Sequence, residues 1–342
     1  MALKGGTRAR RWNPVRMEDV AQRAGVSLMT VSRAIRLPHT VSEGTRAKVE
    51  AARAELRYVG SAIAGQLAAG RTRLVGVVLP DLRNAAFALA MQGLSDTLGR
   101  EFELVVASPH GAEEGDEHVI RSLLGYHPAA LVIHGNVRSR EARKILVSSE
   151  IPVVEMGSLL RRPVGCSVGY SNREAGEAAT EYLLAKGHRT VGFVCAPMRY
   201  NERAKERWHG YRAALKRRGI APRPDLELEI ELGYRRGEEA FKLLRKRERG
   251  IDAVFFTGDA WALGALFYCQ RQGIEVPRDV ALMGFDDQEQ AALVVPALTT
   301  VRVPRYEMGA QAGRVLRARL MDLPHGDTQI DLGFEIIERS SA

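Results

Sequence analysis

The sequence predicts a small α-helical head followed by an α/β core of two lobes, each a parallel sheet with helices on both faces. Three observations predict it. Apolar residues recur at helical spacing between Met17 and Leu56, and from Leu74 onward short β-branched runs alternate with helical stretches. The third is the placement of charge. Residues 1–73 hold 14 Lys and Arg against 5 Asp and Glu, while the remaining 269 hold 36 of each, so the head carries the whole net charge of +9. A basic terminal segment on a neutral body is the electrostatic footprint of a nucleic-acid-binding head.

The length of 342 residues suits two or three domains, and 45% hydrophobic with 27% charged residues is a globular composition. The longest apolar runs, Leu74–Leu79 and Ala129–Ile133, fall far short of the roughly 20 residues of a membrane span. The basic start, Met1–Trp12, lacks the apolar stretch of a secretory signal, which leaves the cytoplasm as the expected compartment. Cys166, Cys195 and Cys269 are odd in number and widely spaced, so they read as small buried hydrophobes rather than zinc ligands or disulfide partners. No metal or cofactor is expected.

In the head, Met17, Val20, Ala21 and Ala24 mark one helical face, and Gly25-Val26-Ser27 breaks it. Gly25 permits the positive φ that ends a helix, and Ser27 caps a second helix from about Leu28 to Ile35. Leu37–Thr40 is a loop; Ser42 caps a third helix whose Val49, Ala52 and Leu56 complete a core. Two short helices around a tight glycine turn, buttressed by a third, make a helix-turn-helix over residues 15–58, preceded by a flexible basic arm, 1–14.

The stretch Met17-Glu-Asp-Val-Ala-Gln-Arg-Ala-Gly-Val-Ser-Leu-Met-Thr-Val-Ser-Arg33 resembles the DNA-binding signature of the lac-repressor family, D-V-A-x-x-A-G-V-S-x-x-T-V-S-R, at almost every fixed position. Arg16 departs from it, standing where the family often has a Thr cap. The resemblance implies that the second helix enters the major groove with Leu28, Met29 and Arg33 toward the base edges. Arg33 can donate two hydrogen bonds to a guanine, and Leu28 and Met29 can pack on thymine methyls. Ser27, Thr30 and Ser32, with the helix N-terminal amides, suit phosphates. Residues 59–72, beginning Val59-Gly-Ser-Ala-Ile-Ala-Gly-Gln-Leu67, are similar to the family hinge Y-x-P-N-x-x-A-x-x-L. That similarity implies helices that form only when two pair on operator DNA, with Leu67 as a minor-groove wedge and Ser61 as a further DNA contact. Gly60 and Gly65 depart from the pattern and should make this hinge order less readily.

The core, 73–342, has strand candidates at 74–79, 104–107, 131–134, 152–155, 191–195, 253–257 and 280–284, and helical stretches such as 174–186 and 207–218. Arg73-Leu-Val-Gly-Val-Val-Leu-Pro-Asp, Lys186-Gly-His-Arg-Thr-Val-Gly-Phe, Gly258-Asp-Ala-Trp-Ala-Leu-Gly-Ala and Gly284-Phe-Asp-Asp extend the resemblance across nearly the whole chain. It implies a two-lobed, periplasmic-binding-protein-like core, with one lobe at about 73–171 and 303–325 and the other at about 172–302 and 326–342. Leu298–Arg302 then leads the chain back across. Ligands of such sheets bind beyond the carboxyl ends of the strands. Arg207 and Asp286 match the family's effector-contacting Arg and Asp; Arg207 would clamp a carboxylate or hydroxyl pair, and Asp286 would accept from sugar hydroxyls. Phe87 and Trp261 are candidate apolar walls. Arg203, Asn136 and Glu155 are candidates by loop position.

Val26-Ser-Leu-Met-Thr-Val-Ser-Arg33 with Arg36-Leu-Pro, Ile151-Pro-Val-Val-Glu-Met156, Val168-Gly-Tyr-Ser-Asn172 and Phe267-Tyr-Cys-Gln-Arg271 look like the gluconate-operon repressor branch. The implied partners are a pseudo-palindromic operator, a second copy of the chain, and a sugar-acid effector such as gluconate or ketogluconate. A corepressed or activating regulator, or one answering a neutral sugar or purine, stays open. An enzyme is the rival class: Gly165-Cys-Ser-Val-Gly169 satisfies the hydrolase elbow G-x-S-x-G. However, the strand lies on that motif rather than before it, and no Asp and His follow in the required arrangement. A transport-type solute-binding protein would leave the basic head unexplained.

Overall fold

The structure, a computed structural model, describes residues 15–59, 72–109, 115–137, 139–324, 326 and 328–342. The chain divides into two compact units, 1–71 and 72–342.

The head consists of α1 (Met17–Ala24), α2 (Leu28–Arg36) and α3 (Glu43–Leu56). Without a Thr cap, α1 is started by Asp19, whose carboxylate accepts from the Arg16 N–H at 2.7 Å. Gly25 ends α1 in the left-handed region at φ 65°. Ser27 caps α2, its hydroxyl accepting from the Thr30 N–H at 3.1 Å. Val20, Ala21, Val31, Ala34, Val49, Ala52 and Tyr58 form the core, and an Arg23–Glu55 ion pair at 2.6 Å joins α1 to α3.

In the second unit, β1 (Leu74–Val78), β2 (Glu103–Ala107), β3 (Ala130–His134), β4 (Val153–Met156), β5 (Cys166–Gly169) and β11 (Gln329–Asp331) make one all-parallel sheet, ordered β11-β5-β4-β3-β1-β2. The other contains β6 (Val191–Cys195), β7 (Glu227–Glu229), β8 (Ala253–Phe256), β9 (Ala281–Asp286), β10 (Thr299–Arg302) and β12 (Glu335–Ile337), ordered β12-β10-β9-β8-β6-β7. Only β12 runs antiparallel to its neighbour among the described strands. Between them lie α4 (Ala86–Leu98), α5 (Gly115–Leu124), α6 (Arg140–Ser149), α7 (Asn172–Ala185), α8 (Glu202–Arg217), α9 (Tyr234–Arg247), α10 (Asp259–Gln272), α11 (Glu289–Leu293) and α12 (Arg305–Leu320). Runs such as Ala130–His134 and Ala253–Phe256 are buried throughout, as strands covered on both faces must be.

Three features differ from the sequence reading. Leu298–Arg302 does not lead the chain back across: Thr299–Arg302 is β10, parallel to β9, and the crossing follows at Val303-Pro304. The segment 326–342 is not wholly in the second lobe, because β11 pairs with β5 (Ile330 opposite Val168) and the last crossing falls at 332–334, where Gly333 turns at φ 65°. Helix α8 starts at Glu202, five residues before the predicted 207, because the Asn201 side chain accepts from the Ala204 N–H at 3.2 Å. The three cysteines are buried, and Ser167 of the G-x-S-x-G match lies fully buried inside β5, not at an exposed elbow.

Candidate functional site

On α2, Val31 and Ala34 face the head's core while Leu28, Met29, Arg33 and Arg36 are exposed and Ser32 is half-buried beside them. Positions 28, 29, 32, 33 and 36 share one helical face. Met29 is 64% exposed and Leu28 44%, unusual for large apolar side chains on a short helix with a core available. Among the described residues neither Arg33 nor Arg36 pairs with an acidic side chain. The hydroxyls of Ser27 and Thr30 lie 2.8 Å apart at the α2 N-terminus, where the first-turn amides point outward. An exposed helix face with two unpaired guanidiniums and two apolar side chains can read a groove. Ser61 and Leu67 lie outside the described residues.

In the second unit, Phe87, Trp261, Arg203, Arg207 and Asp286 all line one cavity of about 60 Å³, together with Asn84, Asp259, Gln288 and Arg305. It adjoins a chamber of about 400 Å³ that also touches His134 and Asn136. The positions follow from strand ends: His134 closes β3, Asp286 closes β9, Thr257 follows β8, and Arg203 and Arg207 sit in the first turns of α8 after β6. Arg203 therefore stands on a helix, not on a loop. Glu155 belongs elsewhere: in β4 it is buried and accepts from the Val137 N–H at 3.1 Å and the Val164 N–H at 2.6 Å, tying two loops. Burial pushes its carboxyl above the usual range.

Arg207 is buried and already engaged. Its Nε donates to Asn172 Oδ1 at 2.9 Å, Nη1 to the Thr257 carbonyl at 3.0 Å and Nη2 to the Tyr170 hydroxyl at 2.9 Å, while its plane lies 3.7 Å from the Phe285 ring centroid. Arg203 donates from Nη1 to His134 Nδ1 at 2.7 Å and sits 5.4 Å over Phe87. Burial, reinforced by Arg207, lowers the Arg203 pKa to about 10, still charged at pH 7. Burial and the Arg203 and Arg305 charges hold His134 well below the usual imidazole range, so it is neutral.

The sequence reading missed Arg305, which is ion-paired through Nη2 with Asp286, and Asp259, at the start of α10. Asp259 accepts from the Thr300 hydroxyl at 2.6 Å and the Gln288 N–H at 2.7 Å. Burial, with Asp286 nearby, raises its carboxyl to about 8. Three guanidiniums thus face the Asp286 carboxylate, which is paired with Arg305, and Asp259, which is neutral at pH 7.

The model of bacterial regulatory proteins, lacI family, matches residues 16–61, and that of the periplasmic binding protein-like domain matches 180–342. The HTH-type transcriptional regulator GntR of Pseudomonas aeruginosa is 34% identical over 334 residues, 95% of each chain. Among solved structures, a LacI-family transcriptional regulator from Silicibacter pomeroyi superposes with a TM-score of 0.87 at 33% identity, covering 96% of this chain and 99% of its own. The lac repressor dimer bound to operator and an anti-inducer superposes with a TM-score of 0.77 at 26% identity, covering 96% and 99%. A head with an exposed reading helix, a two-sheet core with a charged cleft, and relatives matched over almost their whole length agree: the chain belongs to the lacI family of bacterial regulatory proteins and is a DNA-binding transcriptional regulator.

Proposed function

We propose that the protein is a homodimeric repressor of sugar-acid metabolism genes, acting in the cytoplasm and released from a pseudo-palindromic operator when a sugar acid such as gluconate or ketogluconate binds in the core cleft. The observation that carries the reading is the cleft's charge: Arg203, Arg207 and Arg305 against Asp286, with Asp259 neutral at pH 7, leave an excess of positive charge behind the Phe87 and Trp261 walls. A neutral sugar needs no such excess, whereas a carboxylate is stabilised by charge-assisted hydrogen bonds there. The kinship with GntR regulators and the branch motifs support the same ligand class. In this reading Leu28, Met29 and Arg33 read bases, Ser27, Thr30 and Ser32 hold phosphates, and Ser61 and Leu67 act at the paired hinges. The lac repressor's state as a dimer on operator supports two-fold reading.

Effector and operator are then reciprocal ligands, coupled by about 1–3 kcal/mol as in typical allosteric systems. The test is a mobility shift on DNA upstream of the protein's own gene and its neighbours, at fixed salt, with gluconate, 2-ketogluconate or a neutral sugar added. A discrete complex dissolved by a sugar acid alone is the expected result. A complex indifferent to the acids, or one dissolved only by the neutral sugar, overturns the ligand assignment.

A further inference from the structure

We infer that Arg305, rather than Arg207, is the residue that distinguishes an acid from a neutral sugar in this cleft. The inference rests on the sugar-acid reading above and names the side chain responsible. Arg207 lines the cavity, but each of its three nitrogens already donates to the protein, and its face is stacked on Phe285. Its geometry is that of a floor, fixed by Asn172, Thr257 and Tyr170. Arg305 differs. It is 5% exposed and lines the same cavity, yet only Nη2 is engaged, with Asp286; Nε and Nη1 are buried and have no hydrogen-bond partner among the described residues.

Buried guanidinium donors are almost always satisfied, and leaving them bare is costly. Arg305 cannot lose its proton to escape that cost. An acceptor oxygen, from water or from a ligand, meets that need, and an anionic oxygen of a ligand answers a guanidinium best. The surroundings agree. Arg305 is the first residue of α12, so the helix's own N-terminal amides add positive potential. Its guanidinium lies 6.0 Å from the Phe87 ring, which is also the ring under Arg203, so the two cations flank one aromatic wall. A carboxylate placed there meets Arg305 on one side and Arg203 on the other, while Asp286 and Asn84 remain for the hydroxyls of the same molecule.

The test uses the full chain and Trp261, whose indole lines the cavity, as the fluorescent reporter. Parent and Arg305→Lys proteins are titrated with gluconate, 2-ketogluconate and glucitol, the last being gluconate with its carboxylate replaced by CH2OH. Lysine keeps a cation opposite Asp286 but loses the planar array of donors. Arg305→Lys should weaken acid binding about 10- to 100-fold, the worth of one or two charge-assisted hydrogen bonds, and leave glucitol binding within about 3-fold. A second protein, Asp286→Asn with Arg305→Gln, removes both charges of the pair, so no carboxylate is left buried alone. It should lose most of the parent's preference for acid over polyol, keeping only what Arg203 contributes. An acid preference as large as the parent's in either variant overturns the assignment to Arg305 while the sugar-acid reading stands. A parent protein that binds neither acid at millimolar concentration, or prefers glucitol, overturns the sugar-acid reading itself.

Discussion

Asp259→Asn should change how the stability of the core depends on pH. The Asp259 carboxyl is fully buried, held against Thr300 and Gln288, and raised from 3.8 to about 8. Below about pH 4 it is neutral whether the chain is folded or not. Above that the unfolded chain ionises while the folded one does not, so folding takes up a proton and stability falls as pH rises. The slope approaches about 1.4 kcal/mol per pH unit until the folded carboxyl itself ionises near 8, where the loss is complete. Asparagine fits the same contacts, its carbonyl accepting from the Gln288 N–H and its amide donating to Thr300, and it does not titrate. Melting temperatures of parent and variant, measured from pH 5 to 8, should therefore diverge in the variant's favour by a few degrees per pH unit, since about 1 kcal/mol corresponds to about 2–4 °C in a domain of this size. Parallel profiles would refute the buried neutral acid, and with it the neutrality that gives the cleft its positive excess.

Gly176→Ala on α7 would set a Cβ 2.3 Å from the Arg207 carbonyl oxygen, forcing α7 and α8 apart. It should cost about 1–3 kcal/mol by overpacking and weaken effector binding, and an unchanged melting temperature and titration would contradict that contact. Arg33→Ala should cost about 1–3 kcal/mol on the operator and relax selectivity at one base pair, measured on a set of point-changed operators; an equal loss on every sequence would make Arg33 a phosphate contact. All three cysteines should resist a thiol reagent in the folded protein and react after denaturation, since burial raises the Cys195 thiol and brings Cys269 up to about 12; rapid modification of the native chain would contradict their burial.

The head was legible because its determinants are local. A glycine ending one helix, a serine capping the next and four apolar residues at helical spacing stand within a dozen positions of one another. Arg16 looked like a broken cap only because the compensating Asp19 acts through the backbone N–H. In the core, Arg207 and Asp286 were legible through the family resemblance and Arg203 by its position; they come together because the strand ends of parallel sheets converge, a rule that needs no knowledge of the partner lobe. Glu155 satisfied the same positional rule and failed chemically, because two backbone amides had already captured its carboxylate. The last crossing was misplaced because β11 is three half-polar residues at a sheet edge, where pairing rather than composition makes the strand.

Arg305 was not legible at all, for a physical reason. It follows Asp286 by 19 residues but stands in the other lobe, on a helix packed against α4, and no local pattern announces a pair formed across a lobe crossing. Two of the contacts that join the lobes at the cleft are of this kind: Asp286 of the second lobe with Arg305 of the first, and Arg203 of the second with His134 of the first. Each places a cation that a carboxylate would seek inside a contact that joins the lobes. A ligand taking up donors from Arg305 or Arg203 therefore competes with or reinforces the lobe-bridging pair itself. Its differential affinity for the two lobe arrangements arises at the binding site, and no separate relay through the core is required to convert occupancy into a change of lobe geometry.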